Sequence, residues 1–201
     1  MTDTTTQAGY LGGTADDDFA RMTAALRGFN DELPGARPDP ELLREMQATL
    51  TRWSAALAAA QVPEGQRVYG RRADLPSRGQ TMAPWVVIEQ LDPGGLRATV
   101  RFGRYFVGLN GAVHGGAVAM VLDELLGQAS HAAHPDRVLA RTAYLHVNYR
   151  SITPADRDLQ VTARLVSLSG RKRVVTGEIR DGTRLCSDAE GLWVELRPGQ
   201  Q

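Results

Sequence analysis

The sequence contains a single cysteine, Cys186, among its 201 residues. A lone cysteine excludes an internal disulfide and a zinc site built from cysteines, and it suits a reducing compartment. No apolar run approaches the roughly eighteen residues that a membrane helix needs. Lys and Arg number 23, as do Asp and Glu, so no net charge attracts nucleic acid or an anionic membrane. We therefore expect a small-molecule or protein partner, with no nucleic acid and no membrane.

The amino terminus, MTDTTTQAGYLGG, lacks the basic start and the apolar segment of a secretory signal, which favours a cytoplasmic protein. The Thr/Gly/Asp-rich residues 1–15 predict a mobile tail, because so few apolar groups cannot offset the entropy of ordering. Residues 16–79 predict a helical extension. Residues 80–198 predict the main domain.

Two helices are expected in the extension. The first covers about residues 17–30, and its acidic start complements the helix dipole. The second has Asp39 as N-cap and Pro40 at the first helical position. Its apolar residues recur at helical spacing and predict a stripe that packs on another surface: Leu42, Met46, Leu50, Trp53 and Leu57.

The period changes from helical to extended at about residue 84. APWVVIEQL and LRATVRF, separated by a turn cluster at residues 92–95, predict a hairpin. After a helix within GLNGAVHGGAVAMVLDELLG come four extended runs divided by turn signals. The pattern predicts an α+β domain with a hairpin, a long helix and a four-strand meander.

The long helix contains one aspartate where a buried helix is expected. Its apolar arc holds Val118, Leu122, Leu125, Leu126, Ala129 and Ala133. Glu124 falls on a polar strip with Gln128 and His131, and we interpret it as solvated. Asp123 falls instead on a lane of small or flexible residues with no cation, where a partly desolvated carboxylate can act as base or nucleophile. The structural alternative is a bond to a lysine or backbone amide elsewhere.

Gly115 and Gly116 fall in the first turn of this helix. Amides there have no partner within the helix, and the dipole is positive, so the pair outlines an oxyanion hole. The alternative is a pair of glycines that only permits a tight entry turn.

Gly115 and Asp123 are eight residues apart, which is about 12 Å along a helix. One carbonyl cannot contact both. Both can act on one substrate only if the helix start of one subunit faces the carboxylate of another, which predicts a two-fold homodimer with antiparallel central helices, or a dimer of such dimers.

The motif His114-Gly115-Gly116, followed by Asp123 and then by TAYLHVNY from Thr142, resembles the hotdog-fold acyl-CoA thioesterases of the PaaI type. The resemblance covers about residues 80–197. It implies a long central helix wrapped by an antiparallel sheet of five to six strands, and hydrolysis of an acyl-CoA with no metal and no cofactor beyond the CoA of the substrate.

The resemblance also implies residue roles. Asp123 would activate water or attack as the nucleophile, the Gly115 amide would polarise the thioester carbonyl, and Thr142 would position water. His114 would shape the turn. Thr142 also fits an ordinary β-branched strand residue.

Further substrate contacts are expected at the edges of this site. Asn110 either contacts the ligand or is a turn residue that favours the left-handed region. Gly116 and Met120 would line the substrate and its acyl tail. Ser169-Gly170-Arg171-Lys172-Arg173 sits at a predicted hairpin, where basic side chains could meet phosphates, although a solvated turn is nearly as plausible.

Two other functions remain open. The first is hydration or dehydration of acyl thioesters, which needs a histidine placed as acid or base, and the second is an acyl-CoA-binding module without turnover. His114 leads straight into the helix glycines, which favours the thioesterase. A pure binding site has no use for an isolated carboxylate beside a thioester, so Asp123 argues against the module.

Overall fold

A computed structural model describes residues 5–6, 10–11, 17–134, 138–197 and 199 of the chain. The chain divides into two units, Met1–Gln80 and Thr81–Gln201. In the first unit, the two-residue strands β1 (Thr5–Thr6) and β2 (Tyr10–Leu11) pair antiparallel. The rest of the predicted tail, residues 1–15, lies outside the described residues.

Two capped helices follow in the first unit. Helix α1 (Asp18–Glu32) begins after Asp17, whose carboxylate accepts a hydrogen bond from the Ala20 amide at 2.9 Å. Helix α2 (Pro40–Ala59) begins after Asp39, which accepts from the Leu42 amide at 2.8 Å, as predicted. No residue of α2 is buried within the described part of the chain, and of its predicted apolar stripe Met46 is half-buried while the others are exposed.

The second unit is a six-stranded antiparallel sheet with one long helix. Its strands are β3 (Trp85–Asp92), β4 (Gly95–Arg101), β5 (Ala140–Tyr149), β6 (Asp158–Ser169), β7 (Lys172–Asp181) and β8 (Arg184–Glu195). The order is β3-β4-β6-β7-β8-β5. The predicted hairpin is confirmed, but the predicted four-strand meander is wrong in one respect. β5 pairs with β8 at the edge of the sheet and is not a neighbour of β6.

Helix α3 (Gly115–Ala132) packs on this sheet through its apolar arc. The predicted arc is confirmed, because Val118, Leu122, Leu125, Leu126 and Ala129 are each at most 1% exposed. Full burial of one such aliphatic side chain stabilises a fold by about 1.5–3 kcal/mol, so this arc fixes the rotation of the helix about its axis. Ala133 lies beyond the helix, as its C-cap, and is only half-buried.

None of the helices in the described ranges is long and apolar enough to cross a membrane.

Candidate active site

His114 caps the amino terminus of α3. Its Nδ1 accepts a hydrogen bond from the Gly116 amide at 3.0 Å, and its carbonyl accepts from the amides of Ala117 and Val118. The Gly116 amide is therefore occupied within the chain. This narrows the predicted oxyanion hole from two glycine amides to one.

The Gly115 amide has no acceptor among the described residues. It shares a planar peptide with the His114 carbonyl, which points along the helix toward Ala117 and Val118. The N–H on the opposite side of that peptide must therefore point out of the helix end. This is the direction from which a carbonyl oxygen with developing negative charge would approach.

Asp123 and Thr142 meet at the surface of the unit. The Thr142 hydroxyl donates to Asp123 Oδ1 at 2.9 Å. The hydrogen-bond partner of Asp123 is therefore a hydroxyl on β5. The alternative prediction was a lysine or a backbone amide. Both side chains are exposed, so the prediction of a partly desolvated Asp123 is wrong for the single chain. Gln128 donates to the neighbouring Glu124 at 2.5 Å, so the strip is polar, but Glu124, Gln128 and His131 are half-buried and not fully solvated as predicted.

A β-bulge explains how Thr142 reaches α3. Thr142 lies opposite Trp193 and Tyr144 lies opposite Leu192, so Ala143 is an extra residue in β5. An extra residue reverses the alternation of side chains between the two faces of a sheet. Leu145 and Val147 pack on the core on one side of the bulge, and Thr142 bonds to α3 on the other.

Tyr149 is a site residue that the sequence analysis did not identify. It lies at the end of β5, and its hydroxyl donates to the Gly115 carbonyl at 2.9 Å. A Cβ added at Gly115 would lie 3.2 Å from the tyrosine oxygen. The sequence could have identified Tyr149 by its place in the alternating series Leu145, Val147, Tyr149, because the first two of these residues face the helix.

The other predicted substrate contacts lie near the start of α3. Asn110 has φ +57°, which is the left-handed region expected of the turn alternative. Met120 is half-buried and Gly116 is exposed, one helical turn apart on the lane that contains Asp123. Their contacts with a substrate stay predictions.

The predicted basic hairpin joins β6 to β7, but only part of it is accessible. Arg171 and Lys172 are exposed. Arg173 is wholly buried, so its grouping with the phosphate-contacting residues is wrong. Its guanidinium donates to the carbonyls of Ser130 and Val138 and pairs with Glu195 at 3.4 Å, and burial lowers its pKa. It faces inward because it shares the strand face of Val175.

The exposed part of the hairpin lies at the same end of the sheet as Thr142. Thr142, Trp193 and Arg173 are opposite one another across β5, β8 and β7. Neighbouring strands are about 4.8 Å apart, which puts the hairpin about 10 Å from Thr142.

Residues 110–187 match the model of the Thioesterase superfamily. They span the start of α3, Asp123, Thr142 and Tyr149. This part of the chain resembles a thioesterase superfamily domain, and the unit around it has the hotdog fold.

The chain also has individual relatives. A bovine protein named acyl-coenzyme A thioesterase THEM4 is 33% identical over 98 residues, which are 48% of this chain and 39% of that protein. The match thus spans well under half the length of the relative.

Solved structures share the fold. One, described as a thioesterase superfamily protein, has 28% identity and a TM-score of 0.76, and the match covers 91% of this chain and 98% of that chain. That coverage reaches well into the amino-terminal unit. A Streptococcus mutans protein bound to acetyl CoA has 17% identity and a TM-score of 0.52, over 55% of this chain and 88% of that chain.

Proposed function

We propose that this chain hydrolyses an acyl-CoA, or a related acyl thioester, to a free acid and a thiol. The proposal rests on the hydrogen bond of 2.9 Å that orients the exposed Asp123 carboxylate through Thr142. The same helix begins with a Gly115 amide that has no acceptor among the described residues. A bovine relative named acyl-coenzyme A thioesterase and a neighbour bound to acetyl CoA support CoA as the thiol.

The chemistry needs only these groups. Water attacks the thioester carbonyl carbon while Asp123 takes one of its protons, and the resulting oxyanion accepts a hydrogen bond from the Gly115 amide. Collapse of the tetrahedral intermediate breaks the C–S bond, and the thiolate receives the proton from Asp123. The reaction uses no metal and no cofactor other than the CoA of the substrate.

A second chemical route uses Asp123 as nucleophile. Its carboxylate would attack the carbonyl carbon, expel the thiolate and form an anhydride that water then cleaves. A single turnover in water labelled with heavy oxygen separates the two routes. Label in Asp123 itself indicates the nucleophile, because water has then cleaved the anhydride at the aspartyl carbonyl. Label in the released acid alone fits a general base or an anhydride cleaved at the acyl carbonyl, and a burst of thiol ahead of acid then indicates the anhydride.

Both routes require a second copy of the chain. Gly115 and Asp123 are about 12 Å apart along α3, so one substrate carbonyl cannot contact both groups of one subunit. Asp123 and Gly116 are exposed on α3, and Asp123 adjoins β5, which is an edge strand with backbone groups available for pairing. We propose that a two-fold partner covers this surface, so that Asp123 of one subunit works with Gly115 of the partner subunit.

The position of His114 favours hydrolysis over hydration. A hydratase needs a histidine placed to transfer a proton to the substrate, whereas His114 is fixed as the N-cap of α3 through Nδ1 and has only Nε2 left for such a role. The direct test is a panel of saturated and 2-enoyl acyl-CoAs. We expect release of free thiol. Loss of the enoyl chromophore without thiol would indicate hydration, and saturable binding without either product would indicate a binding module.

Subunit mixing tests whether the site is shared. Gly115→Pro deletes the amide hydrogen at the first helical position, where proline is favoured, and His114 already has the extended ψ of 131° that precedes proline. Asp123→Asn and Gly115→Pro homodimers should both be inactive. After refolding an equal mixture, half of the dimers hold one intact site, so about a quarter of the wild-type activity should return. No recovery would place both groups in one subunit's site and refute the shared arrangement.

A further inference from the structure

We propose that Tyr149 is a positioning residue that holds the Gly115 amide in the orientation needed to bind the oxyanion. The proposal rests on the proposed hydrolysis. It identifies a residue that acts on the reaction through another group and touches no reacting atom itself.

Two side chains hold the peptide between Gly115 and Gly116 from opposite sides. The Tyr149 hydroxyl donates to its carbonyl oxygen at 2.9 Å, and His114 Nδ1 accepts from its amide at 3.0 Å. A peptide unit is planar, so bonds at both ends fix the orientation of the whole unit. Bonds in such a chain also polarise one another, which strengthens each of them.

The peptide on the other side of the Gly115 Cα is held as well. Its carbonyl, that of His114, accepts from the amides of Ala117 and Val118, and one peptide earlier the His114 amide donates to the Phe106 carbonyl at 2.8 Å. Because the peptide planes before and after Gly115 are both fixed, the Gly115 N–H can point in only one direction. Glycine otherwise rotates more freely than any other residue, so this restraint has its largest effect here.

Tyr149 is itself placed by the sheet. The next two amides, of Arg150 and Ser151, both donate to the Cys186 carbonyl and attach the end of β5 to β8. Tyr149 as a whole residue is 55% exposed, so burial does not account for its position. At Gly115 it makes the hydrogen bond to the carbonyl, and its ring lies 3.3–3.4 Å from the place that a Cβ on Gly115 would take.

The test compares two hydroxyl deletions on β5. Tyr149→Phe keeps the ring and removes the bond to Gly115. The matched control is Tyr144→Phe on the same strand, which removes a hydroxyl that is bound to Glu190 of β8. We expect kcat to fall about ten-fold in Tyr149→Phe, with KM within about two-fold of wild type, because one hydrogen bond is lost without loss of a substrate contact. Tyr144→Phe should retain the wild-type kcat.

A spectroscopic measurement separates positioning from general stability. In protein labelled at glycine nitrogen, the Gly115 and Gly116 amide resonances are assigned by their loss in Gly115→Ala and Gly116→Ala. Tyr149→Phe should move both resonances, and Tyr144→Phe should move neither. Unmoved resonances, or equal kcat values in the two phenylalanine variants, would overturn the proposal.

A steric cycle gives an independent test. A Cβ at Gly115 lies 3.2–3.4 Å from the tyrosine ring and oxygen, so the ring must shift by a few tenths of an ångström. Gly115→Ala should therefore lower kcat several-fold in the wild-type background and clearly less in Tyr149→Ala. Equal effects in both backgrounds would contradict the coupling. Failure of the wild type to release thiol from any acyl-CoA would overturn the hydrolysis itself, while the resonances still decide whether Tyr149 holds the peptide.

Discussion

Thr142 and Tyr149 lie seven residues apart on β5, yet both side chains bond to α3. An odd separation on a regular strand would send them to opposite faces of the sheet. The bulge at Ala143 removes that conflict and lets one strand contact both the start and the middle of the helix.

Asp123→Asn should lower kcat by a factor of about 100–10,000, the usual contribution of a general base. The amide keeps the shape of the carboxylate and can still accept the Thr142 hydrogen bond, so folding should be unaffected. The measurement is thiol release under saturating acyl-CoA. Glu124→Gln, a carboxylate one residue away that bonds to Gln128, is the control and should retain its activity. Near-normal turnover in Asp123→Asn would refute the assigned role.

Thr142→Val should lower kcat about ten-fold, because an isosteric side chain removes the hydroxyl that orients Asp123 Oδ1. Thr142→Ser keeps the hydroxyl and should recover most of the rate. The comparison uses kcat for the same substrate, with circular dichroism to verify the strand. If the valine and serine variants are equally slow, the methyl group matters and the hydrogen bond does not.

His114→Ala should reduce the free energy of unfolding by about 1 kcal/mol, because it removes the N-cap of α3. His114→Asn supplies another good capping oxygen for the Gly116 amide and should retain stability and most of the turnover. Chemical denaturation and thiol release are measured on both variants. A stable but inactive asparagine variant would show that the imidazole takes a direct part in the chemistry.

Arg173→Met should lower the free energy of unfolding by about 1.5–3 kcal/mol, the range for hydrogen bonds to a charged group. The side chain is wholly buried and holds the end of α3 and the segment before β5 through the Ser130 and Val138 carbonyls. Arg171→Met and Lys172→Met should leave stability unchanged.

Arg171→Met and Lys172→Met should both raise KM for acyl-CoA in a salt-dependent manner, because we expect these exposed charges to contact phosphate. A KM unaffected in both would support the solvated turn instead.

The amino-terminal unit should lose stability at acid pH through Arg72. This buried arginine pairs with Asp17 at 2.7 Å and Asp74 at 2.6 Å. Its hydrogen bond lowers the pKa of Asp74, whereas the Ala20 amide is the main cause that lowers the pKa of Asp17. Carboxylates with lowered pKa values stabilise the fold above their ordinary pKa, near 4, and lose that contribution as the pH falls below it.

The corresponding measurement is the Tm of wild type and Arg72→Met between about pH 6 and pH 3. The wild type should be the more stable at pH 6, and the difference should shrink as the pH falls. A difference in Tm between wild type and Arg72→Met that stays constant over this range would contradict the role of the ion pairs.

Sequence alone determined the local features of this protein. Asp39 identified the start of α2, because a capping oxygen acts on amides two or three residues away, and the acidic start at about residue 17 predicted the position of α1. The apolar arc of α3 predicted the helix face that packs on the sheet, since helical periodicity is a property of consecutive residues. The motif from His114 to Asp123 identified the domain and the helix that holds the candidate carboxylate.

Only the tertiary structure decided the relations between distant segments. Strand order depends on which edges pair, so β5 lies beside β8 although β6 follows it in the chain. The bulge that turns Thr142 toward Asp123 adds one residue to a strand whose sequence alternates in the ordinary way. Tyr149 meets Gly115 across 34 positions of sequence, and Arg173 is buried because of its strand face, although it follows two exposed basic residues. Such contacts depend on register and packing, which no local pattern of residues specifies.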